Sequence, residues 1–294
     1  MKERHSLGQE AINKKGWFLA NRFLLLRRSV QLLILTLFLL GPLAGIWIIE
    51  GNLSASLLFS AVPFTDPFIL LQSITAGHLP LFQAFLGAAI VVVFYLVVGG
   101  RVFCSWVCPV NLITDAAAWL RRKLDLRKEK VLSNRWRYWI LAMVMILPVF
   151  TGVLSWELIN PVSAFHRGLF FGMGMAWIVF FMLFLFDLLA VENGWCSHLC
   201  PMGAFYSLIN RFSLIKVDAK DREKCTNCLD CFSVCPEPAI LQGPVHGQKH
   251  NIGTLVKDIT CTNCGRCVDV CAVNVFKITT VFNGKQVTDQ KVER

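Results

Sequence analysis

Four long apolar stretches alternate with polar connections over the first two thirds of the chain. A helix needs about 20 mostly apolar residues to cross a bilayer, with a range of roughly 17–25. The stretches fit this requirement and predict four transmembrane helices, at residues 30–49, 81–98, 138–154 and 169–190. The whole chain of 294 residues is 55% hydrophobic, with a mean hydropathy of +0.56, which is too apolar for an ordinary soluble domain.

The more polar C-terminal part predicts a separate module. We expect residues 1–29 to be a basic N-terminal segment, residues 30–212 a four-span membrane domain, residues 213–280 a small α+β domain and residues 281–294 a polar tail. The expected fold is therefore an α-helical membrane protein with an added domain of the ferredoxin type. We expect no removed signal peptide, because the first apolar stretch follows 29 mostly polar residues and has no small-residue cleavage site.

Basic residues are distributed unevenly over the connections. Residues 1–29 contain seven Lys and Arg, and the connection 99–137 contains nine, whereas 50–80 contains none and 155–168 contains only Arg167. Basic residues accumulate on the cytoplasmic side of membrane proteins. We therefore expect a multi-pass protein of the bacterial inner membrane, with both termini and the domain at 213–280 in the cytoplasm. The same bias accounts for the net charge of +10, so we expect no nucleic-acid partner.

Eight cysteines form two runs of the pattern C-x2-C-x2-C-x3-C. The first run is Cys225, Cys228, Cys231 and Cys235, and the second is Cys261, Cys264, Cys267 and Cys271. In two-cluster ferredoxins the fourth cysteine of such a run binds the other [4Fe–4S] cluster. We therefore expect one cluster on Cys225, Cys228, Cys231 and Cys271, and a second on Cys261, Cys264, Cys267 and Cys235.

Zinc binding and structural disulfides fit the spacing of these eight cysteines less well than clusters do. Structural zinc sites use four ligands in two C-x2-C pairs and not a run of this kind. Structural disulfides belong to oxidising compartments, whereas the charge distribution places this module in the cytoplasm. One departure from the usual ferredoxin pattern is that Ala272, and not a proline, follows Cys271.

The membrane part contains a duplication. The motif C-x3-C-P follows the second apolar stretch at Cys104 and Cys108, and recurs after the fourth stretch at Cys196 and Cys200, 92 residues later. The preceding connections match as well, because Asp66-Pro67 corresponds to Asn160-Pro161. Both copies begin on the same side, so we expect two parallel repeats related by an axis along the membrane normal.

The four cysteines of this duplicated motif allow three interpretations. If the two repeats pack symmetrically, Cys104, Cys108, Cys196 and Cys200 meet at the cytoplasmic surface and form an additional metal or iron–sulfur site. They are otherwise a redox-active dithiol pair, or structural cysteines. The spacing is not that of a known cluster-binding run, so the sequence leaves these alternatives open.

Clusters on one side of a membrane need an electron donor or acceptor. An intramembrane haem needs axial histidines, and none of the six histidines lies in the middle of an apolar stretch. No nucleotide fingerprint G-x-G-x-x-G follows a strand. A membrane quinol is the remaining mobile carrier, and residues near the outer face are candidates for its site: Asp66, His78, Glu157 and His166. Asp187 lies inside the fourth apolar stretch, where an ionisable residue is either functional or directed to the interface.

Motifs along almost the whole chain, from about residue 10 to 280, resemble those of the NapH family. They lie at 15–17 (KGW), 24–28 (LLLRR), 65–67 (TDP), 76–80 (AGHLP), 104–109 (CSWVCP), 156–161 (WELINP), 186–189 (FDLL), 194–201 (GWCSHLCP), 231–238 (CFSVCPEP) and 264–271 (CGRCVDVC). The C-x3-C-P pairs alone are less specific, since they also occur in relatives that act in nitrous-oxide respiration and cytochrome oxidase assembly.

The resemblance implies a ferredoxin-type membrane component of the quinol dehydrogenase that serves periplasmic nitrate reductase. It implies electron transfer from ubiquinol towards that reductase, with a NapG-type periplasmic ferredoxin-like subunit and a NapC-type tetrahaem cytochrome as partners. Such a chain is an electron-transfer subunit and not a stand-alone enzyme. Two alternatives remain at this point: a redox assembly or maintenance factor that reduces a metal or thiols for a respiratory reductase, and a redox sensor.

Overall fold

The computed structural model describes residues 7–126, 133–172, 174, 176–250 and 252–282. Residues 283–294 of the predicted tail, and Arg127 and Lys128 of the basic connection, lie outside the described residues. The described helices are α1 (Gln9–Lys15), α2 (Trp17–Ala20), α3 (Arg22–Ala44), α4 (Pro67–Thr75), α5 (Phe82–Val98), α6 (Val110–Lys123), α7 (Trp136–Thr151), α8 (Ser155–Ile159), α9 (Pro161–Phe171), α10 (Ala176–Leu189), α11 (Pro201–Asn210), α12 (Asp230–Val234), α13 (Ala239–His246) and α14 (Arg266–Val270). The described strands are β1 (Ile49–Gly51), β2 (Ala55–Leu58), β3 (Val62–Thr65), β4 (Ile215–Asp218) and β5 (Lys277–Thr280).

The chain forms two compact units, each assembled from separate segments. Unit 1 takes in the described residues of Met1–Val30, Tyr95–Trp106 and Ser207–Arg294. Unit 2 takes in those of Gln31–Phe94 and Val107–Tyr206. The predicted module at 213–280 is thus the largest part of unit 1, which also contains the predicted N-terminal segment and the residues around the first C-x3-C-P motif.

Unit 1 is built around a small antiparallel pair of strands. β4 precedes the first cysteine run and β5 follows the second, and they pair in the register Ile215↔Thr280 to Asp218↔Lys277. The short helices α12 and α14 begin inside the two cysteine runs. Their apolar side chains join a buried core with the strands: Val217, Ala219, Leu241, Val245, Val256, Val268, Val275 and Phe276. The module therefore has the α+β character that the sequence predicts.

Unit 2 contains most of the residues in the predicted membrane spans. Among the described helices, α3 is the one that is long and apolar enough to cross a bilayer, with 23 residues. The other three predicted spans correspond to shorter apolar helices, namely α5, α7 and α10. The first helix begins eight residues earlier than predicted, at Arg22. The fourth predicted stretch is divided, because the chain breaks at Gly172, with φ of 91°, between α9 and α10.

The connection between α3 and α5 is apolar, and an apolar connection of this kind is expected to lie at the outer membrane interface against lipid. Instead, β1, β2 and β3 form an antiparallel sheet, in the register Ile49↔Leu58 and Ala55↔Thr65, and lead into α4. One face of α4 is buried inside unit 2, including Phe68 and Gln72. Burial in protein accounts for the apolar sequence as well as contact with lipid does.

The duplication is visible in the local structure. Asp66 and Asn160 are the N-caps of α4 and α9, and each side chain accepts a hydrogen bond from the N–H two residues later, at 2.9 and 3.0 Å. A proline follows each cap at the first helical position, where its missing N–H is tolerated. Each cysteine motif also forms a five-residue π-helical turn, Phe103–Val107 and Trp195–Leu199. The two copies thus repeat the same N-cap, proline and π-helical turn in the same order.

Candidate metal centres

The first candidate centre is a cavity in unit 1 with an empty volume of about 410 Å³, part of it open to solvent. Four of its lining residues are cysteines: Cys225, Cys228, Cys231 and Cys271. Apolar side chains complete the wall, among them Phe232, Val245 and Phe276. The fourth cysteine of the second run therefore joins the first three cysteines of the first run.

The second candidate centre has the reciprocal composition and the same empty volume, about 410 Å³. Its lining includes Cys235, Cys261, Cys264 and Cys267, with Val217, Ile240 and Leu241 among the apolar residues. Each run thus contributes three cysteines to one cavity and one cysteine to the other. This grouping is the one expected for two-cluster ferredoxins.

The cysteine loops have the same backbone conformation at equivalent positions. In the first run Asn227 and Leu229 have positive φ, 56° and 65°, and in the second Asn263 and Gly265 have φ of 47° and 74°. These left-handed residues lie two and four positions after the first cysteine of each run. Asparagine and glycine adopt this region readily, whereas a leucine there is strained. The turns direct three sulfur atoms of each run towards one cavity.

The buried cysteines of the two cavities are poorly suited to being thiolates without a bound metal. Burial raises the pKa of Cys231 to about 12, and the neighbouring Cys228, Cys271 and Cys225 act in the same direction. Burial likewise raises the pKa of Cys261 to about 11. Four negative sulfur atoms at one buried place need compensating positive charge, and iron supplies it. The donor set, the size of the cavities and the apolar walls therefore fit iron–sulfur clusters.

The Cys261 loop is held by residues that lie far from it in sequence. Ser105 Oγ donates to the carbonyl of Thr262 at 2.9 Å, and Trp106 Nε1 donates to the carbonyl of Asn263 at 3.3 Å. Asn210 Nδ2 donates to the carbonyl of Cys261 at 2.9 Å. The segment that carries Cys104 thus packs on the loop of the second candidate centre within unit 1, a contact that sequence reasoning missed.

A buried ion pair supports the same loop. The side chain of Arg101 is 2% exposed, lies 3.5 Å from Glu237 Oε1 and donates to the carbonyl of Thr260 at 2.6 Å. Glu237 also lines the second cavity, next to the Cys235-Pro236 corner. Breaking such a pair is costly because one charge remains buried without compensation. Arg101 therefore ties the two cysteine runs together at this centre.

The N-terminal segment also belongs to unit 1 through specific hydrogen bonds. The N–H of Gly8 donates to Asp230 Oδ2 at 3.0 Å, immediately before α1. Lys15 Nζ donates to the carbonyl of Val268 at 3.2 Å. The N–H groups of Phe23 and Leu24, in the first turn of α3, donate to the two oxygens of Asp269 at 3.2 and 3.0 Å. Asp230 and Asp269, each within two residues of a cysteine of the two runs, thus accept hydrogen bonds from backbone N–H groups at the starts of helices. Such N–H groups have no partner inside their own helix.

The second set of cysteines lies in well-supported turns. Asp187 is fully buried and accepts a 2.9 Å hydrogen bond from the N–H of Trp195, at the start of the turn that contains Cys196. Arg137 Nη1 donates to the carbonyl of Ser197 at 3.0 Å in the same turn. Cys200 Sγ accepts a 3.4 Å hydrogen bond from Gly203 N–H. The side chain of Asp187 is therefore buried against the turn that contains Cys196.

These cysteines do not form a single-ion site in the part of the chain that is described. Among those residues, no group of three or more His, Cys, Asp and Glu side chains is arranged to hold one metal ion. The thiolates of an iron–sulfur cube bind different irons and lie farther apart than the ligands of one ion, so this finding concerns single ions. An additional site on Cys104, Cys108, Cys196 and Cys200 stays a prediction.

The four candidate quinone residues are in different environments. Asp66 is buried, accepts a 3.0 Å hydrogen bond from the Tyr206 hydroxyl, and lies close enough to Glu157 for their charges to interact. Glu157 pairs with Arg167 at 3.4 Å. His166 is a buried residue of α9, with its ring 4.3 Å from that of Phe170. His78 is exposed, beyond the other end of α4. The structure brings Asp66 and Glu157 together but not all four.

Burial has a clear electrostatic effect on Asp66, which precedes α4 and lies outside the four apolar helices. It raises the pKa of this carboxyl to about 7, and Glu157 acts in the same direction. The N–H of Phe68 and the hydroxyl of Tyr206 oppose the shift because they stabilise the carboxylate. Burial therefore favours the protonated form of Asp66 more than in an exposed aspartate.

Two reciprocal four-cysteine cavities, in a chain that also carries a duplicated apolar unit, define a ferredoxin-type electron-transport protein. Family comparison agrees with this class. The family described as "4Fe-4S binding domain" matches residues 81–127 and 173–220, and the family described as "4Fe-4S dicluster domain" matches 224–275. The two matches of the first family begin 92 residues apart, the same offset as that between Cys104 and Cys196. The prediction of 4Fe-4S binding domains is confirmed.

The chain belongs to the NapH family. It is 50% identical over 276 residues to "Ferredoxin-type protein NapH" of Haemophilus influenzae, covering 94% of this chain and 96% of that protein. It is 49% identical to the protein of the same name in Escherichia coli, again over 94% of this chain and 96% of that protein. "Methylamine utilization ferredoxin-type protein MauN" of Methylorubrum extorquens is 46% identical over 92% of this chain and 93% of that protein. No solved structure matches the chain.

Proposed function

We propose that this chain is the iron–sulfur membrane subunit of a quinol dehydrogenase. In this role it passes electrons from ubiquinol towards periplasmic nitrate reductase through a tetrahaem cytochrome. The observation that carries the proposal is the pair of reciprocal four-cysteine cavities in a chain of the NapH family. A bound [4Fe–4S] cluster supplies reversible one-electron transfer. The chain then works as an electron-transfer subunit within a complex.

The cavities support a specific assignment of ligands. One [4Fe–4S] cluster is held by Cys225, Cys228, Cys231 and Cys271. The other is held by Cys261, Cys264, Cys267 and Cys235. The chain's own contribution is to orient these thiolates through the left-handed turns at Asn227 and Asn263, and to exclude water with apolar walls. Backbone donors such as the N–H of Val275, 3.3 Å from Cys271 Sγ, stabilise negative charge on sulfur.

We further propose that α3, α5, α7 and α10 are the four transmembrane helices of an inner-membrane protein with cytoplasmic termini. The last three have 17, 16 and 14 residues, shorter than the roughly 20 residues that span an average bilayer. Local thinning of the bilayer accommodates short spans at modest cost. The distribution of basic residues and the exposed apolar side chains on these helices, including Trp139, Phe150 and Phe181, support this assignment.

The proposed partners follow from the family. They are membrane quinol, a NapG-type periplasmic ferredoxin-like subunit and a NapC-type tetrahaem cytochrome. The additional site on Cys104, Cys108, Cys196 and Cys200 is proposed as a further metal or iron–sulfur centre. Support for it comes from the match of a 4Fe-4S binding family to both halves of the duplication, each of which contains one C-x3-C-P motif.

A second function is favoured by one specific observation. Relatives whose name links them to methylamine utilisation match almost as well as those named NapH. A general redox role, in which the chain reduces a metal or thiols for the assembly or maintenance of a partner oxidoreductase, fits both groups of relatives. In that case the electron donor need not be a quinol.

Anaerobic reduction of the purified full-length protein in lipid nanodiscs separates the two functions. A short-chain ubiquinol analogue is added, and the oxidation state of the iron–sulfur centres is followed by visible absorption and paramagnetic resonance. Reduction by the quinol analogue supports the first function. Failure of the quinol analogue, together with transfer of electrons from a chemically reduced protein to a metal ion or a disulfide, supports the second.

A matched control separates specific from incidental reduction. Glu192→Gln changes a partly exposed residue, paired with Arg122 at 2.7 Å, without touching either cavity. This variant should be reduced as fast as the parent. The oxidised quinone analogue should leave the centres unchanged, because it cannot donate electrons.

A further inference from the structure

Helix α7 shows how deep other segments lie in unit 2, because two of its residues and the residue after its end contact them. Near its start, Arg137 donates to Ser197 in the second cysteine turn at 3.0 Å. The carbonyl of Val144 accepts a 2.9 Å hydrogen bond from Gln72, and Val144 lies about 10 Å further along the helix at 1.5 Å per residue. Beyond its end, the carbonyl of Gly152 lies 3.2 Å from His78 Nε2.

Measured along α7, helix α4 runs from the interior of unit 2 to its far end. Gln72 lies at the middle of α7 and His78 beyond its end, so Asp66 lies about 9 Å closer to the cysteine turn than Gln72. Two further contacts agree with this depth. Tyr206, only five residues after Pro201, bonds to Asp66 at 3.0 Å, and Gly87 on α5 lies against the backbone of Thr65. The connection between α3 and α5 therefore enters the interior of unit 2 and returns to its far end along α4.

Helix α9 repeats this arrangement. Its Phe165 ring lies 5.5 Å from that of Phe180, which is seven residues, or about 10 Å, from Asp187 at the cysteine-turn end of α10. The cap Asn160 lies a further five residues towards that end. Both N-caps of the duplicated connections thus lie inside the unit. Irregular backbone at membrane depth is tolerated where it is buried in protein.

Three polar atoms on or beside α4 have no hydrogen-bond partner within the described part of the chain. They are Asp66 Oδ2, Gln72 Oε1 and Trp156 Nε1, all on residues at most 5% exposed. All three adjoin the fully buried Phe68. Its N–H bonds to Asp66, its ring lies 6.2 Å from that of Trp156, and Gln72 follows it by one helical turn. A hydroxyl group suits Asp66 and Trp156, because it can donate to a carboxylate and accept from an indole N–H.

We propose that Asp66 is the internal proton acceptor of unit 2, poised by Tyr206 at the inner end of a re-entrant half-helix, for a hydroxyl donor held with Trp156. The donor is a quinol hydroxyl or a water, and the link to quinol rests on the proposed function. The step is a proton transfer alone: the donor O–H bond breaks, an O–H bond forms on Asp66 Oδ2, and the electron pair stays on the donor oxygen.

Infrared spectroscopy of the full-length protein tests the proton site without using its electron-transfer activity. The parent should show a protonated carboxyl band that is lost as the pH rises through about 7, since burial raises the pKa of Asp66 to about 7. Asp66→Asn should remove the Asp66 contribution to the band and leave that of the other buried carboxyl, Asp187. Tyr206→Phe should keep the band but move its midpoint to higher pH, because a donor to the carboxylate is lost. Glu192→Gln serves as the unaffected control, and Glu157→Gln should lower the midpoint, since Glu157 faces Asp66.

The second arm adds the quinol analogue. A shift of the Asp66 band on adding the analogue identifies quinol as the hydroxyl donor, whereas an unchanged band identifies water. Asp66→Asn should slow quinol-driven reduction of the iron–sulfur centres by about 100-fold or more, the usual contribution of a positioned base. An unchanged titrating band in both Asp66→Asn and Tyr206→Phe overturns the proton site, even if quinol reduces the protein. A band that responds to both variants in a protein that quinol never reduces retains the proton site and overturns the proposed function.

Discussion

Asp269 accepts a 3.0 Å hydrogen bond from the N–H of Leu24, although 245 residues separate the two along the chain. Its other oxygen accepts from the N–H of Phe23. Asp269 lies two residues from Cys267 and two from Cys271, which belong to different cavities. The first turn of the long apolar helix α3 is thus bound directly to the segment shared by both candidate centres.

Replacing this carboxylate should loosen the start of α3. Substitution of a helix-capping side chain by alanine costs about 0.5–2 kcal/mol, which corresponds to roughly a 2- to 30-fold loss of amide protection. We therefore expect Asp269→Ala to increase hydrogen exchange in peptides that cover residues 22–26 by this factor. Asp221→Ala, which removes an exposed pair with Lys277, should leave exchange at 22–26 unchanged. Equal protection in parent and Asp269→Ala, at equal iron content, would contradict the capping role.

Gly265 should tolerate no side chain. Its φ is 74°, and an added Cβ would lie 2.3 Å from Phe23 Cγ, inside contact distance. We expect Gly265→Ala to destabilise the module by about 1–2 kcal/mol from backbone strain alone, with the clash added to it. Iron and sulfide per protein, measured after mild heating, should fall. Gly253→Ala is the matched control, because an added Cβ there meets nothing within 4 Å.

A second substitution separates strain from clash at Gly265. Phe23→Ala removes the ring that the new Cβ would meet. The double variant Gly265→Ala with Phe23→Ala should then recover the part of the loss that comes from the clash, but not the part from the positive φ. If the double variant were worse than the sum of the single variants, the assigned contact would be wrong.

The reciprocal grouping of cysteines makes a sharp prediction for paired substitutions. Cys235→Ser and Cys264→Ser affect the same cavity, so the double variant should lose no more iron than either single variant, about four atoms per chain for one [4Fe–4S] cluster. Cys235→Ser with Cys225→Ser should lose both clusters, although these two cysteines belong to the same run. Elemental analysis with paramagnetic resonance provides the measurement. The reverse pattern would mean that each run binds its own cluster.

Asp187 should control the turn that contains Cys196. Removing its side chain leaves the Trp195 N–H without its 2.9 Å acceptor, and an unsatisfied buried donor costs about 1–3 kcal/mol. We expect Asp187→Ala to raise the alkylation rate of Cys196 several-fold, measured by mass spectrometry of the labelled peptide. Asp187→Asn should have a smaller effect because its amide oxygen can still accept. Glu192→Ala, on the partly exposed pair with Arg122, should leave the rate within about two-fold.

The sequence predicts the two candidate centres far better than it predicts the residues that hold the cysteine loops in place. The spacing of the cysteines determines which sulfur atoms can reach a common point, so the contributions of Cys235 and Cys271 to the opposite cavities could be expected from the pattern alone. The apolar helices were also predictable in position, but not in length. Gly172 ends α9 with a positive φ, and an apolar sequence on both sides of it masks this break.

Other parts of the structure could not be predicted, because no local pattern in the sequence indicates them. The apolar residues of the connection 51–80 suit burial in protein as well as contact with lipid, and hydropathy cannot separate these two environments. The bonds from Ser105 to Thr262 and from Leu24 to Asp269 join segments that are far apart, and each uses a backbone group that nearly every residue carries. Asp187 gave a signal, as a charge in an apolar stretch, but only its distance to Trp195 assigns it to the cysteine turn.

The assembly of unit 1 from three separate segments has a consequence for biosynthesis. At roughly 5–20 residues per second, the ribosome adds Asp269 about 12–50 s after Leu24. During this interval the first turn of α3 lacks its acceptor, and the Cys261 loop that Ser105 supports does not yet exist. Iron delivery to a nascent chain would meet an incomplete set of thiols. The order of synthesis therefore favours cluster insertion after Cys271 has been added, when all eight thiols of the two runs are present.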